Sequence, residues 1–324
     1  MAETETPAGQ QGFVHEAGLY GSEDELLELL VPFVRQGVAA GEPTVLACLP
    51  EPARHVRRTV GDLPGVSVRD DNPYDRPMRT LAAHHRMFTS RLAAGVTGMR
   101  VVGQIPPGRI TADWGDWVRY EAAVNHCFAP LPVRSICLYD TRTTAAAVLA
   151  DVQRTHPYLW SAGRGHHHSP RYADPAALLA DRARRERDPL ERRPPDVELT
   201  GPSPATGRQA VARLGEATGL SRDDIDALEL AVSETITNAL RHGAAPVTLR
   251  AWAAPGHVVA TVHDTGPGPH DPFAGLVPAD PGVPGGHGLW VVHQLCRRAT
   301  VAAEPDGCTV RLVVGTPAPP AGAA

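Results

Sequence analysis

Glu234-Thr-Ile-Thr-Asn238 sets a carboxylate and a carboxamide four residues apart. In a helix, side chains at that spacing leave one face and can address the same ion or phosphate. The surroundings read as helix. Ser221-Arg-Asp-Asp224 is a helix-opening box with Asp where Glu is usual. Ile225, Leu228, Val232, Ile236 and Leu240 then form an apolar stripe, with Glu234 and Asn238 to one side, and Gly243 ends the helix. Two glycine segments follow, Asp264-Thr-Gly-Pro-Gly268 and Gly285-Gly-His-Gly-Leu289. Residues without a Cβ let a backbone approach a bound molecule closely or take positive φ. Taken singly, the three segments are a solvated helix face, a turn and a loop. In this order, after strand-like runs, they describe one nucleotide pocket.

The rest of this half is a sheet with helices. Ser203 to Thr218 reads as a helix, and Val247 to Ala253 and Val258 to His263 as antiparallel strands joined through Pro255-Gly256. Gly288 to Arg297 is expected to be helical, and Ala299 to Ala303 and Thr309 to Val314 to be strands. The expected layout is a mixed sheet backed by helices. Pro269 to Pro284 is the expected lid, and residues 317–324 an expected disordered Pro/Ala tail.

Upstream, strands and helices alternate. Glu23 to Val38, His55 to Val60, Pro77 to Ala94 and Trp114 to Phe128 suit helices. Thr44 to Leu49, Val66 to Arg69, Met99 to Gly103 and Val133 to Tyr139 suit strands, a pattern that favours a largely parallel α/β sheet. The organisation read from the sequence is a first domain over 10–160, a linker over 161–196 and a second domain over 197–316. The linker stretch contains His166-His-His168 and an arginine-rich run that can form a charged helix. His15, Tyr20, Glu121 and Asp140 are polar residues beside expected strand or helix ends, where open α/β sheets bind ligands.

Composition narrows the classes. The 324 residues are enough for two domains, with 42% hydrophobic and 21% charged residues as in globular proteins. No run of about 18 apolar residues exists, so no membrane span is expected. The acidic start Met-Ala-Glu-Thr-Glu-Thr-Pro lacks an apolar core, so a cytoplasmic protein without a secretory signal is expected. A net charge of −5 disfavours bulk attraction to nucleic acid. Five cysteines, Cys48, Cys127, Cys137, Cys296 and Cys308, without a C-x-x-C pair, read as buried thiols. All 31 basic residues are arginine, which excludes a phosphate loop of the Walker A type, since that needs a lysine.

From Val197 to Gly315 the chain resembles the GHKL ATPases, and within them the anti-sigma-factor serine kinases. The three segments quoted above stand where that family has its N box and two glycine boxes. The resemblance implies a histidine-kinase-like ATPase α/β sandwich that binds ATP with Mg²⁺. It implies that Asn238 holds Mg²⁺ against the phosphates and that Glu234 accepts the proton of the attacking hydroxyl. Asp264 would receive the adenine amino group, with Gly266 and Gly268 passing beneath the ring and Gly286 and Gly288 admitting the phosphates. The implied partners are a sigma factor and an anti-sigma-factor antagonist, with a homodimer favoured and neither nucleic acid nor membrane bound directly.

The first domain resembles the MEDS sensory domain, a RecA-like module. The likeness lies in Phe13-Val-His15 with Leu19-Tyr20, Gly103-Gln-Ile-Pro-Pro107, Tyr120-Glu-Ala-Ala-Val-Asn125, Cys137-Leu-Tyr-Asp140 and His156-Pro157. Without lysine such a sheet has no phosphate loop, so sensing or protein contact is expected of it. Two alternatives to a serine/threonine kinase stay open: an ATP-dependent sigma-sequestering protein without catalysis, and a sensor histidine kinase. The latter needs an acceptor histidine on a long bundle helix. His84-His85 lacks the acidic residue that usually follows such an acceptor, and His166-His-His168 lies in the expected linker.

Overall fold

The first strand, Val14–Tyr20 (β1), is buried almost throughout and lies inside a sheet. A computed structural model describes residues 12–69, 74, 76–278 and 287–316. The chain divides into two units, the first ending at Pro175 and the second starting at Ala176.

In the first unit β1 is followed by α1 (Glu23–Ala39), β2 (Thr44–Ala47), α2 (Pro50–Val60), β3 (Val66–Val68), α3 (Pro77–Ala93) and β4 (Met99–Gly103). Then come α4 (Pro107–Cys127), β5 (Val133–Asp140), α5 (Ala146–Thr155), β6 (Tyr158–Ser161) and β7 (Gly165–His168). The strands lie in the order β3-β2-β4-β5-β1-β6-β7, parallel except for β7, which returns antiparallel beside β6. Helices cover both faces, which is why β1 is buried on both sides despite carrying His15 and Glu16. Leu26, Leu29, Leu30, Phe33 and Val34 of α1 pack on one face with Leu46, Val102, Ile136 and Leu138. Ser22 caps α1 by accepting a hydrogen bond from the amide of Glu25.

Helix α4 starts at Pro107, seven residues before the expected Trp114, because it contains a break at Asp113 (φ −137°, ψ 28°). The apolar periodicity begins only beyond that break. Residues 161–196, expected as a linker, carry β7, a helix α6 (Pro175–Arg185) and a short 3-10 turn at Pro189–Arg192.

The second unit continues with β8 (Val197–Thr200), α7 (Pro204–Ala217), α8 (Arg222–His242), β9 (Thr248–Ala254), β10 (His257–Asp264), α9 (His287–Leu295), β11 (Arg298–Glu304) and β12 (Gly307–Gly315). The sheet order is β11-β12-β10-β9-β8, and every pairing is antiparallel. This corrects the expected mixed sheet. The helix after β10 delivers β11 to the far side of β12, and β8, too short and polar to read as a strand, closes the other edge against β9. Val211, Leu228, Val232 and Ile236 fill the core between α7, α8 and the sheet.

Leu240 is not in that core; it is 55% exposed. Each residue turns an α-helix by about 100°, so a step of four from Ile236 drifts Leu240 about 40° off the buried face. Ala239 is buried instead. On the opposite sheet face Trp252, Val259 and Val313 pack with Leu190. There the buried Arg311 holds Glu191 through two bonds of 2.5 and 2.8 Å.

Candidate functional site

Two clusters of polar side chains stand out, one in each unit. In the second unit, the Ser221 hydroxyl caps α8 by accepting from the Asp224 amide, and the helix runs 21 residues to the C-cap Gly243. Glu234 and Asn238 lie half-buried one turn apart on it, and neither side chain has a hydrogen-bond partner among the described residues. The start of α9 comes down on this pair. A Cβ at residue 288 would stand 2.6 Å from Glu234 Oε2 and 3.6 Å from Asn238 Nδ2, so glycine allows the approach. Gly286 lies outside the described residues, as does the expected lid beyond residue 278.

Asp264 ends β10 and is 7% exposed. Its Oδ1 accepts from the amides of Gly266 at 2.8 Å and Ala244 at 3.1 Å. That fixes the carboxylate and leaves Oδ2, which takes no hydrogen bond among the described residues. Gly268 turns the chain away at φ +75°, a conformation that costs any residue with a side chain. Glu234, Asn238 and Gly288 are thus brought together, with Asp264, Gly266 and Gly268 grouped where β10 ends. The free oxygen donors of Glu234 and Asn238 are the hard type that Mg²⁺ takes, alongside phosphate and water, so the residues present fit such a group.

In the first unit His15, on β1, and Cys137, on β5, face the side of the sheet covered by α4 and α5. Residues alternate across a strand, and Ala17 lies in register with Cys137. Glu121 and Asn125 share one face of α4, and His156 caps the end of α5. His15, Glu121, Cys137 and His156 are all buried, and one ligand-type atom from each lies within 4.8 Å of all the others. His15 Nε2 is 3.2 Å and His156 Nε2 3.5 Å from Glu121 Oε2. Cys137 Sγ is 3.4 Å from His15 Nε2 and 3.8 Å from Glu121 Oε2. Tyr139 donates to Glu121 Oε1 at 2.9 Å.

Burial pushes the Cys137 thiol well above its ordinary pKa, the Glu121 charge adding to the effect. Burial also lowers His156 to about 3, helped by His15. For Glu121, burial alone would raise the pKa; the adjoining His15 and His156 side chains outweigh it, with Tyr139 donating as well, and the carboxyl lies below its usual value.

Tyr20 and Asp140 sit elsewhere, in register at the C-terminal ends of β1 and β5. Tyr20 accepts from Gln104 Nε2 at 3.3 Å. Asp140 is held by Arg142 through bonds of 2.9 and 2.6 Å, which keep its carboxyl below the ordinary range. Asp140 and Gln104 line a cleft of about 320 Å³ with Trp114, Thr144 and Val148. Of the four sensory candidates, His15 and Glu121 therefore meet in the interior, while Asp140 borders a cleft at the strand ends. Sequence reasoning missed Cys137 and His156 as their companions. The signal was present, since both begin short motifs quoted above, but nothing local says that residues 122 and 141 positions from His15 share its pocket.

Residues 14–157 match the MEDS family, the MEthanogen/methylotroph, DcmR Sensory domain. Residues 203–314 match the family described as histidine kinase-like ATPase domain. The transcriptional repressor DcmR of Methylorubrum extorquens is 23% identical over 156 residues, covering 44% of this chain and 57% of the repressor. This chain thus matches little more than half the length of that curated relative. Among solved structures, the RsbU and RsbW domains of Rv1364c from Mycobacterium tuberculosis match at 23% identity and a TM-score of 0.27, over 38% of this chain and 34% of that one. The chain thus carries a stretch that matches the MEDS sensory domain, followed by one that matches the histidine kinase-like ATPase domain.

Proposed function

We propose that the protein is an ATP-dependent serine/threonine kinase that binds a sigma factor and phosphorylates the antagonist of that anti-sigma activity, with the first unit as sensor. The observation that carries this reading is the approach of Gly288 to Glu234 and Asn238, which joins the second glycine segment to the polar face of α8. The anti-sigma branch rests on the likeness of the three segments to that family.

In this reading Asn238 holds Mg²⁺, which neutralises phosphate charge when bound. Asp264 Oδ2 accepts from the adenine amino group, since its other oxygen is engaged by backbone amides. Glu234 takes the proton of the incoming serine or threonine hydroxyl as the phosphoryl group passes to that oxygen and ADP leaves. The added charge then weakens the antagonist's contact. A homodimer belongs to the same proposal, as do the second-domain limits 197–316 and a first domain carried from residue 10 past 160 to Pro175.

Two of the histidine sites weighed as acceptors are poorly placed for the histidine-kinase alternative. His84 is 3% exposed and bonded to Tyr120, and His166 to His168 form an edge strand. The test is incubation of the full chain with γ-labelled ATP, Mg²⁺ and candidate antagonist proteins of the same genome. Acid-stable label on a partner Ser or Thr is expected. Acid-labile label on this chain itself would replace the reading with a histidine kinase. ATP bound without transfer to a partner that the chain demonstrably binds would leave ATP-gated sequestration.

A further inference from the structure

The interior of the first unit poses an electrostatic problem. Asn125 Nδ2 donates to the carbonyls of Glu121 at 2.9 Å and Thr155 at 2.7 Å, which fixes the orientation of the amide. Its Oδ1 then faces His15 Nδ1 at 3.1 Å, so that nitrogen is the donor and carries the proton. His156 Nδ1 likewise faces the Val152 carbonyl at 2.9 Å. In the neutral imidazoles both Nε2 atoms consequently present lone pairs, and both are aimed at Glu121 Oε2. His156 Nε2 is buried without a hydrogen-bond partner. Two nitrogen lone pairs and a carboxylate oxygen converging in a dry interior require a cation among them.

We propose that His15, Glu121, Cys137 and His156 bind one divalent transition-metal ion of the zinc type. Bond lengths of about 2.0 to 2.3 Å around a tetrahedral ion separate its ligands by about 3.3 to 3.8 Å. Four of the six separations run from 3.2 to 3.8 Å, and all six lie within 4.8 Å, so the ion draws the set together by at most about 1 Å. Two imidazoles, one carboxylate and one thiolate form a borderline-soft set that suits zinc, cobalt or iron and not Mg²⁺ or Ca²⁺. Binding releases the Cys137 proton to solvent. The Glu121 and Cys137 anions then balance the ion's two positive charges, so the buried centre is neutral. The Asn125 oxygen on His15, the Val152 carbonyl on His156 and the Tyr139 hydroxyl on Glu121 are the outer partners that orient such ligands. With four protein donors the site is closed, so the ion ties β1, β5, α4 and α5 together and does not activate water.

Cobalt alone is the probe. The chelator-stripped full chain is titrated with Co²⁺, followed by visible absorption, and then challenged with Zn²⁺. One equivalent is expected to give tetrahedral d–d bands and a near-ultraviolet thiolate charge-transfer band, both removed by Zn²⁺. Cys137→Ser should lose the charge-transfer band, and His156→Gln should weaken binding at least tenfold. Replacing His166, His167 and His168 together by Ser should change neither. X-ray absorption of the unmutated zinc form needs no variant and should show one sulfur among the four ligands. No stoichiometric binding, a zinc shell without sulfur, or bands unchanged in Cys137→Ser would each overturn the proposal and leave the cluster as a hydrogen-bonded ion pair between Glu121 and an imidazolium.

Discussion

At the scale of single residues, Glu234 and Asn238 should separate transfer from binding. Glu234→Gln keeps size and polarity but removes the base, so phosphoryl transfer should fall by about 10²- to 10⁴-fold, with nucleotide affinity unchanged in equilibrium titration. Asn238→Ala should remove the Mg²⁺-dependent part of that affinity. An unaltered transfer rate in the first variant, or an unaltered affinity in the second, would strip the residue of its role. His84 makes a second prediction. It is buried on α3 with its Nδ1 2.8 Å from the Tyr120 hydroxyl, and burial, aided by the Arg69 charge and opposed by that of Glu121, lowers its pKa to about 4. Between about pH 4 and 6.5 the unfolded chain then binds a proton that the folded chain refuses, so stability falls as the pH falls through that window. The limit is about 3 kcal/mol for this one group. In urea unfolding of the first unit, the stability difference between the native chain and His84→Phe should shrink by about that amount from pH 7 to 4; a constant difference would mean His84 does not titrate as described. Glu234, Asn238 and Asp264 were legible in the sequence because a helix and two glycine turns present them locally. Cys137 and His156 were not, since only the folding of four elements around His15 gives them a common neighbour.

Elements were legible where one periodicity governs them and not where tertiary contacts do. The span Met99–Gly103 is legible because both of its faces are buried and the run is apolar but for Arg100, whose charge is met by Glu42. Helix α4 was read short since its first turns, up to the break at Asp113, carry no apolar stripe. Leu240 was assigned to the core by counting in fours, which overruns the true turn of the helix. Strand β8 alternates between half-buried and exposed residues, and its pairing with β9, with Glu198 opposite Arg250, defines it. The turn Pro189–Arg192 gave no sequence signal beyond polarity, yet its Glu191 side chain is only 8% exposed against Arg311 at 4%. Trp252 Nε1 also donates to the Arg193 carbonyl at 2.8 Å, beside the same turn. Removing one partner of a buried pair leaves the other charge without compensation, at about 3 to 5 kcal/mol. Glu191→Ala should therefore lower the urea midpoint of the second unit far more than Glu198→Ala, whose partner Arg250 is exposed and whose pair contributes about 1 kcal/mol at most. Equal effects would mean that the turn is not anchored by its charge.

For the whole molecule, the division of the chain decides what can be expressed and studied apart. The sequence puts the end of the first domain at residue 160, where apolar patterning stops. The structure continues the first unit to Pro175. The difference lies in β7, whose Gly-His-His-His sequence is polar but whose backbone pairs with β6 from Tyr158↔His168 to Ser161↔Gly165. Such a strand protects an edge: it satisfies the hydrogen bonds of β6 and offers a neighbour little to pair with. His166 Nδ1 also bonds Glu16 Oε1 at 2.6 Å, and the side chain of Glu16 is only 8% exposed. The Ser169 hydroxyl donates to the Gln153 carbonyl at 2.5 Å and the Ala173 amide to the Arg154 carbonyl at 2.9 Å, which close the segment over α5. A fragment ending at Trp160 leaves β6 with an open edge and Glu16 without its bond from His166, with Arg134 as its remaining charge partner. Light scattering should therefore find a fragment ending at Pro175 in one discrete species, with a single cooperative urea transition. The fragment ending at Trp160 should aggregate or unfold at a lower urea midpoint, with a loss of about 2 to 4 kcal/mol from the missing His166 bond and the opened ladder. If the two fragments behave alike, β7 contributes nothing to the unit and residue 160 is its physical end.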